Sequence, residues 1–253
     1  MEAGRRYTIQ GDKGMKITQD TYRHHISQQF NAELGGLRNH LLVMGGLVEQ
    51  QVQNALKALV EGDSALAEQV RLGDKEVDRL ELAIDEESTN VIARWQPAAS
   101  DLRLVMSVVK MVADLERIGD EAKKIAKMAL RLLDEGQAPR GYVEVRQIGH
   151  HVTEMVRDAL NAFARFDPEA ALVIMKEDDS VDVEYKSATR ALATSMMEDP
   201  RNISQCLSVM WVLRALERIG DHACNLAEQV IFMVAGKDVR HTPLDEAARI
   251  VER

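Results

Sequence analysis

Aromatic residues are scarce, at 4% of 253 positions, and only five prolines interrupt the chain. Sheets draw on aromatic and β-branched residues, so this scarcity excludes a β-rich protein, and the plentiful Ala, Leu, Glu, Lys, Met and Arg favour long helices. No apolar run approaches the roughly 20 residues of a transmembrane helix, and the N-terminus lacks the apolar core of a secretory signal; a soluble, unexported protein is expected. Cysteine is nearly missing. Cys206 and Cys224, both in the second half, suit a reduced cytoplasmic setting better than a disulfide framework. A formal charge of −9 argues against a nucleic-acid binder, whose affinity rests on clustered Lys and Arg, and favours cations or basic surfaces as partners. No glycine-rich phosphate loop, Ser/His/Asp set or E-x-x-H element is present.

What the chain does contain is a duplication. The string Glu-Arg-Ile-Gly-Asp occurs at Glu116 to Asp120 and again at Glu217 to Asp221. Apolar residues at Leu37, Leu41, Met44, Val48, Val52, Ala55 and Leu59 step by three and four and mark a first helix, which Gly62, Asp63 and Ser64 close. The spacing predicts a second helix from about Ala65 to Trp95, stopped by Pro97, and a third from there to about Gly136. Later residues repeat this plan at one fixed offset: Met44-Gly45 falls on Ile148-Gly149, Ala55-Leu56 on Ala159-Leu160, and Asp63 on Asp167. An all-α protein of two tandem, pseudo-symmetric three-helix bundles follows. The first should span residues 21–136 and the second 137–237, with the boundary in the Gly136 to Gly141 interruption. Residues 1–20 are expected as a disordered extension and 238–253 as a tail of uncertain order.

The same offset pairs acids. Asp74 and Asp78 fall on Asp178 and Asp182, while beyond the prolines the register is shorter by three and Glu116 and Asp120 fall on Glu217 and Asp221 in the duplicated string. Like charges at i and i+4 cost an isolated helix roughly 0.2–0.5 kcal/mol, an expense without structural return unless a cation is bound. Asp78 precedes Pro97 by as many residues as Glu116 follows it, and Asp74 matches Asp120 likewise, so an antiparallel hairpin brings the pairs level, roughly 30 Å from the turn. The second half repeats the match about Pro200 to within one residue. Any one such pair reads most simply as the solvated shoulder of an amphipathic helix; the duplicated, height-matched set instead predicts an oxygen-ligand metal patch on each bundle. Asn225, one turn beyond Asp221, extends the second row, whereas Lys123 and Lys124 could neutralise the first without metal. His222 falls off the acidic face and reads as a surface histidine, Cys224 as a core-edge residue, and the pairs His24-His25 and His150-His151 lack metal-ligand spacing.

The four E/D-x-x-x-D elements, Pro97 with Asp101-Leu102-Arg103, and the run from Glu217 to Glu228 together resemble the PhoU family over about residues 20 to 237. The resemblance implies two similar three-helix bundles with metal at carboxylate patches on their surfaces, iron first, with zinc, manganese or magnesium as alternatives. It implies a non-enzymatic regulator that represses the phosphate regulon when phosphate is plentiful. Its expected partners are a membrane sensor histidine kinase and the ATPase subunit of the phosphate ABC transporter, which would hold a cytoplasmic protein at the inner face of the membrane. A homodimer is also expected. Lys124, where the second half has Asn225, departs from the pattern. The competing classes are a ferritin-like di-iron carboxylate oxidase, which places E-x-x-H ligands inside the bundle, and a purely structural bundle.

Overall fold

The first apolar stripe begins earlier than Leu37, because Phe30 and Leu34 are buried and extend the first helix backward. The computed structural model describes residues 28–135 and 142–252, so the expected extension, His24-His25 and the Gly136 to Gly141 boundary lie outside the described residues. Its helices are α1 (Gln28–Glu61), α2 (Ser64–Trp95), α3 (Ala99–Asp134), α4 (Tyr142–Arg165), α5 (Pro168–Glu198), α6 (Ile203–Ala235) and α7 (Leu244–Val251); no strand occurs among the described residues.

The duplicated turns are built alike. Asp63 caps α2 by accepting from the backbone N–H of Leu66 at 2.9 Å, and Asp167 caps α5 by accepting from that of Ala170 at 2.9 Å. Such a cap contributes about 0.5–2 kcal/mol. The residue before each cap must be left-handed: Gly62 has φ of 70°, and Phe166, at its duplicated position, has φ of 55°. A side chain there costs on the order of 1–2 kcal/mol, which the burial of the Phe166 ring and the Arg38 guanidinium 4.4 Å from its centroid help to offset. Pro97 and Pro200 end the two long hairpins as read, α6 following a single 3-10 turn over Pro200–Asn202.

The halves are packed together. Helix α1 meets α4 where Gly45 receives Leu160 and Gly149 receives Leu56, so the repeated Gly and Leu positions are the two ends of one pseudo-symmetric crossing. Helices α3 and α6 run antiparallel along each other. Ser107 hydroxyl donates to the Gln229 carbonyl at 3.4 Å, Arg218 reaches Glu121 at 2.9 Å, and Ser204 meets Glu135 at 3.3 Å. One apolar cluster runs through both halves. The stretch expected only as a tail contains α7, whose Ala247 and Val251 are buried, with Val239 buried ahead of it.

Candidate metal centre

Of the eight acids singled out by their spacing, only Asp74 is buried; Asp78 and Asp221 are exposed and the other five lie between. The height match does bring each set of four to one patch. In the first half, burial and then the nearby charges of Asp120, Glu81, Asp78 and Asp74 raise the Glu116 carboxyl above its usual range. In the second, burial followed by Asp221, Asp182 and Asp179 pushes Asp178 up to about 6. Glu217 and Asp221 are raised as well, chiefly by burial, with Arg214 partly opposing. Glu81 and Asp179 belong to these patches and escaped the sequence reading, although Glu81 stands one turn from Asp78 on the same helix face.

The counter-charges differ between halves. Lys123 contacts Asp74 Oδ2 directly and lies 3.7 Å from Asp120 Oδ1, so it bridges α2 and α3 across the first patch. Lys124, named beside it from the sequence, points elsewhere: its ammonium meets Glu121 Oε1 at 3.0 Å. Among the described residues the cations at the second patch come from its own helices, Arg214 at 2.5 Å from Glu217 Oε1 and Lys186 at 2.8 Å from Asp182 Oδ2, with Arg218 also acting on Asp221. Glu217 Oε2 is buried without a hydrogen-bond partner. A buried carboxylate oxygen left unpartnered costs on the order of 1–3 kcal/mol, and a cation is what such an oxygen can accept.

One sequence expectation needs correction here. His222 is buried rather than on the surface, because α3 covers it; its Nδ1 lies 2.9 Å from Asp114 Oδ1. Asn225 is drawn to the same carboxylate, its Nδ2 donating to Asp114 Oδ1 at 3.0 Å, which leaves its Oδ1 as the one side-chain oxygen for a cation. Asp114 therefore ties the halves together through two residues of α6, a role that no intrahelical spacing could reveal. Cys224 sits partly buried against the core, and burial first, then Asp178, Glu228 and Asp221, pushes its thiol up to about 12. It is a neutral filler.

With the side chains as they stand, no three carboxylate, imidazole or thiol groups among the described residues converge closely enough to hold one ion. The donor set nevertheless fits a cation in the second half: four carboxylates, three of them with raised affinity for protons, one unpartnered buried oxygen, and no ammonium between the helices. The first half differs, because Lys123 lies between Asp74 and Asp120. The core is mainly apolar, with isolated buried polar side chains such as Gln51, Ser88, Glu121 and Gln229, and of the eight acids only Asp74 is buried, so the set flanks the core instead of lining it as the ferritin-like class requires.

The family model for the PhoU domain matches residues 41–129 and again 145–230, one copy on each half. Among curated relatives, the phosphate-specific transport system accessory protein PhoU homolog of Pseudomonas putida is 60% identical over 228 residues, covering 90% of this chain and 89% of its own. The Escherichia coli phosphate-specific transport system accessory protein PhoU is 45% identical, covering 90% of this chain and 94% of its own. The crystal structure of PhoU from Pseudomonas aeruginosa superposes with a TM-score of 0.81 at 59% identity, over 83% of this chain and 100% of that one. Duplicated bundles, paired acids and whole-length similarity lead to one conclusion: this chain belongs to the PhoU family.

Proposed function

We propose that this protein is a non-enzymatic accessory protein of phosphate-specific transport that represses phosphate-starvation genes when phosphate is plentiful. The observation that carries the reading is the match of a PhoU domain to each half, together with accessory proteins of phosphate transport aligned over nine-tenths of the chain. No helix among the described residues is long and apolar enough to cross a membrane, so contact with a transporter would run through partners. Those partners are the ATPase subunit of the phosphate ABC transporter and a membrane sensor histidine kinase, which would hold a cytoplasmic homodimer at the inner face of the membrane.

The second-half patch adds a divalent metal to this reading, iron first, with zinc, manganese or magnesium as alternatives. Asp178, Asp182, Glu217 and Asp221 would hold it, with Asn225 Oδ1 as a further oxygen. Bound there, the metal neutralises acids that otherwise repel and presents positive charge to a partner. The arrangement asks nothing of catalysis.

Deleting the gene tests the regulatory reading: alkaline phosphatase, or another phosphate-responsive reporter, should rise in phosphate-rich medium. A reporter that stays low would end it. Metal is tested separately by elemental analysis of Glu217→Ala with Asp221→Ala, which should lose metal while keeping its helicity; parental metal content in that variant would refute the site. Asp182→Ala should weaken repression where metal takes part in signalling, and normal repression would make the metal a structural staple.

A further inference from the structure

The duplication makes the two acid patches comparable residue by residue, and they differ most at one position. The register that places Glu116 on Glu217 places Lys123 on Cys224. In the first half the Lys123 ammonium sits between helices, against Asp74 Oδ2 of α2 and 3.7 Å from Asp120 Oδ1 of α3. Asp74 is nearly solvent-free, its side chain 6% exposed, while Lys123 keeps 29%. In the second half a thiol stands at that position, which carries no positive charge in any protonation state, and the nearest cations come from the acids' own helices.

An ammonium and a divalent metal answer the same need, which is positive charge between carboxylates on adjacent helices, and they compete for the same oxygens. The ammonium has an advantage of attachment. It is covalently part of α3, so it is present at an effective concentration that free metal in the cell does not reach. Removing it would strand a buried carboxylate, which is the costly direction for a buried pair.

We infer that Lys123 is a built-in counter-ion that excludes metal from the first patch, so this chain takes divalent metal in its second half alone. The inference rests on the reading of the second patch as a metal site. It makes the halves functionally unequal: the first patch is a fixed staple indifferent to metal supply, and the second is the one that metal fills and empties.

The test uses the full chain, stripped of metal and titrated with Mn(II), with bound metal read by elemental analysis after dialysis. Glu116→Ala with Asp120→Ala should leave the parent's bound metal unchanged. Lys123→Gln should raise it, up to a doubling per chain, and adding Glu116→Ala with Asp120→Ala should cancel the gain. Lys123→Arg, which keeps the cation, should bind as the parent does. Circular dichroism confirms that each variant is folded, and Lys123→Cys, which installs the residue of the second half, serves where Lys123→Gln is not. Loss of metal from the parent on changing Glu116 and Asp120 overturns the inference, as does a folded Lys123 variant that gains none. Both outcomes are scored again with Glu217→Ala and Asp221→Ala present. In that background a gain at Lys123→Gln upholds the exclusion of metal by Lys123, whereas parental metal surviving the Glu217 and Asp221 changes would refute the second-patch reading and, with it, the placing of metal in the second half alone.

Discussion

Replacing Gly45 by alanine isolates the cost of bringing the two halves together. A Cβ built on Gly45 would lie 2.4 Å from Leu160 Cδ2 and 2.8 Å from its Cδ1, and Leu160 is itself buried, with little room to turn away. The next residue, Gly46, is exposed in the same helix and has nothing within 4 Å of such a Cβ. Both changes gain the helix preference of alanine over glycine, about 0.5–1 kcal/mol. Only Gly45→Ala incurs overpacking, typically about 1–3 kcal/mol. Gly46→Ala should therefore stabilise by up to about 1 kcal/mol and Gly45→Ala should destabilise by up to about 2 kcal/mol. The difference of about 1–3 kcal/mol measures the crossing, because propensity cancels between neighbours. In a chain of this size each 1 kcal/mol moves Tm by about 2–4 °C, so thermal melts resolve the pair, and urea titration gives the free energies. Leu160→Ala supplies the control: it costs about 2–5 kcal/mol alone, but combined with Gly45→Ala the loss should fall short of the sum. Strict additivity, or a Gly45→Ala as stabilising as Gly46→Ala, would refute the close approach of α1 and α4.

Gly149→Ala should cost less than Gly45→Ala in the same melts, because its clash is with Leu56, at 2.6 Å from Cδ2, and Leu56 is only partly buried and can swing outward. Asp114→Ala removes the acceptor shared by His222 and Asn225 and should destabilise by about 1–3 kcal/mol in urea, and an unchanged midpoint would mean that this junction contributes nothing. Arg218→Ala leaves Glu121, 3% exposed, with Lys124 alone, and a loss on the order of 1–3 kcal/mol is expected, larger than for Arg214→Ala at the exposed rim. Glu228, pushed up to about 7 by burial and then by Asp238, holds its proton more tightly in the folded chain than in the unfolded one. The metal-free protein should thus lose stability as pH rises from about 4.5 through 7, and Glu228→Gln should flatten that slope, gaining most over the parent at pH 8; parallel stability curves would contradict the shift.

Periodicity and punctuation carried most of the fold. The helices from Leu37 onward, the proline-ended hairpins and the Asp63 and Asp167 caps follow from local rules, in which neighbours in sequence are neighbours on a helix. The start of α1 and the presence of α7 did not follow, since the apolar residues involved are too few to show a period and gain their meaning from what they pack against. The acids' approach in two patches was legible because an antiparallel hairpin converts equal distances from a proline into equal heights. Their counter-charges were not. Sequence named Lys123 and Lys124 together, but they diverge by about 100° around the helix axis, one toward α2 and one toward Glu121 beside α6. His222 and Asn225 show the same limit: a wheel of α6 alone places them beside or off the acidic row, and only the arrival of Asp114 from the other half buries the one and occupies the other. Local spacing determined which residues could share a face; long-range packing of α3 on α6 and α1 on α4 decided what each face meets, because contacts between distant segments are set by the summed burial of both halves and leave no period in either.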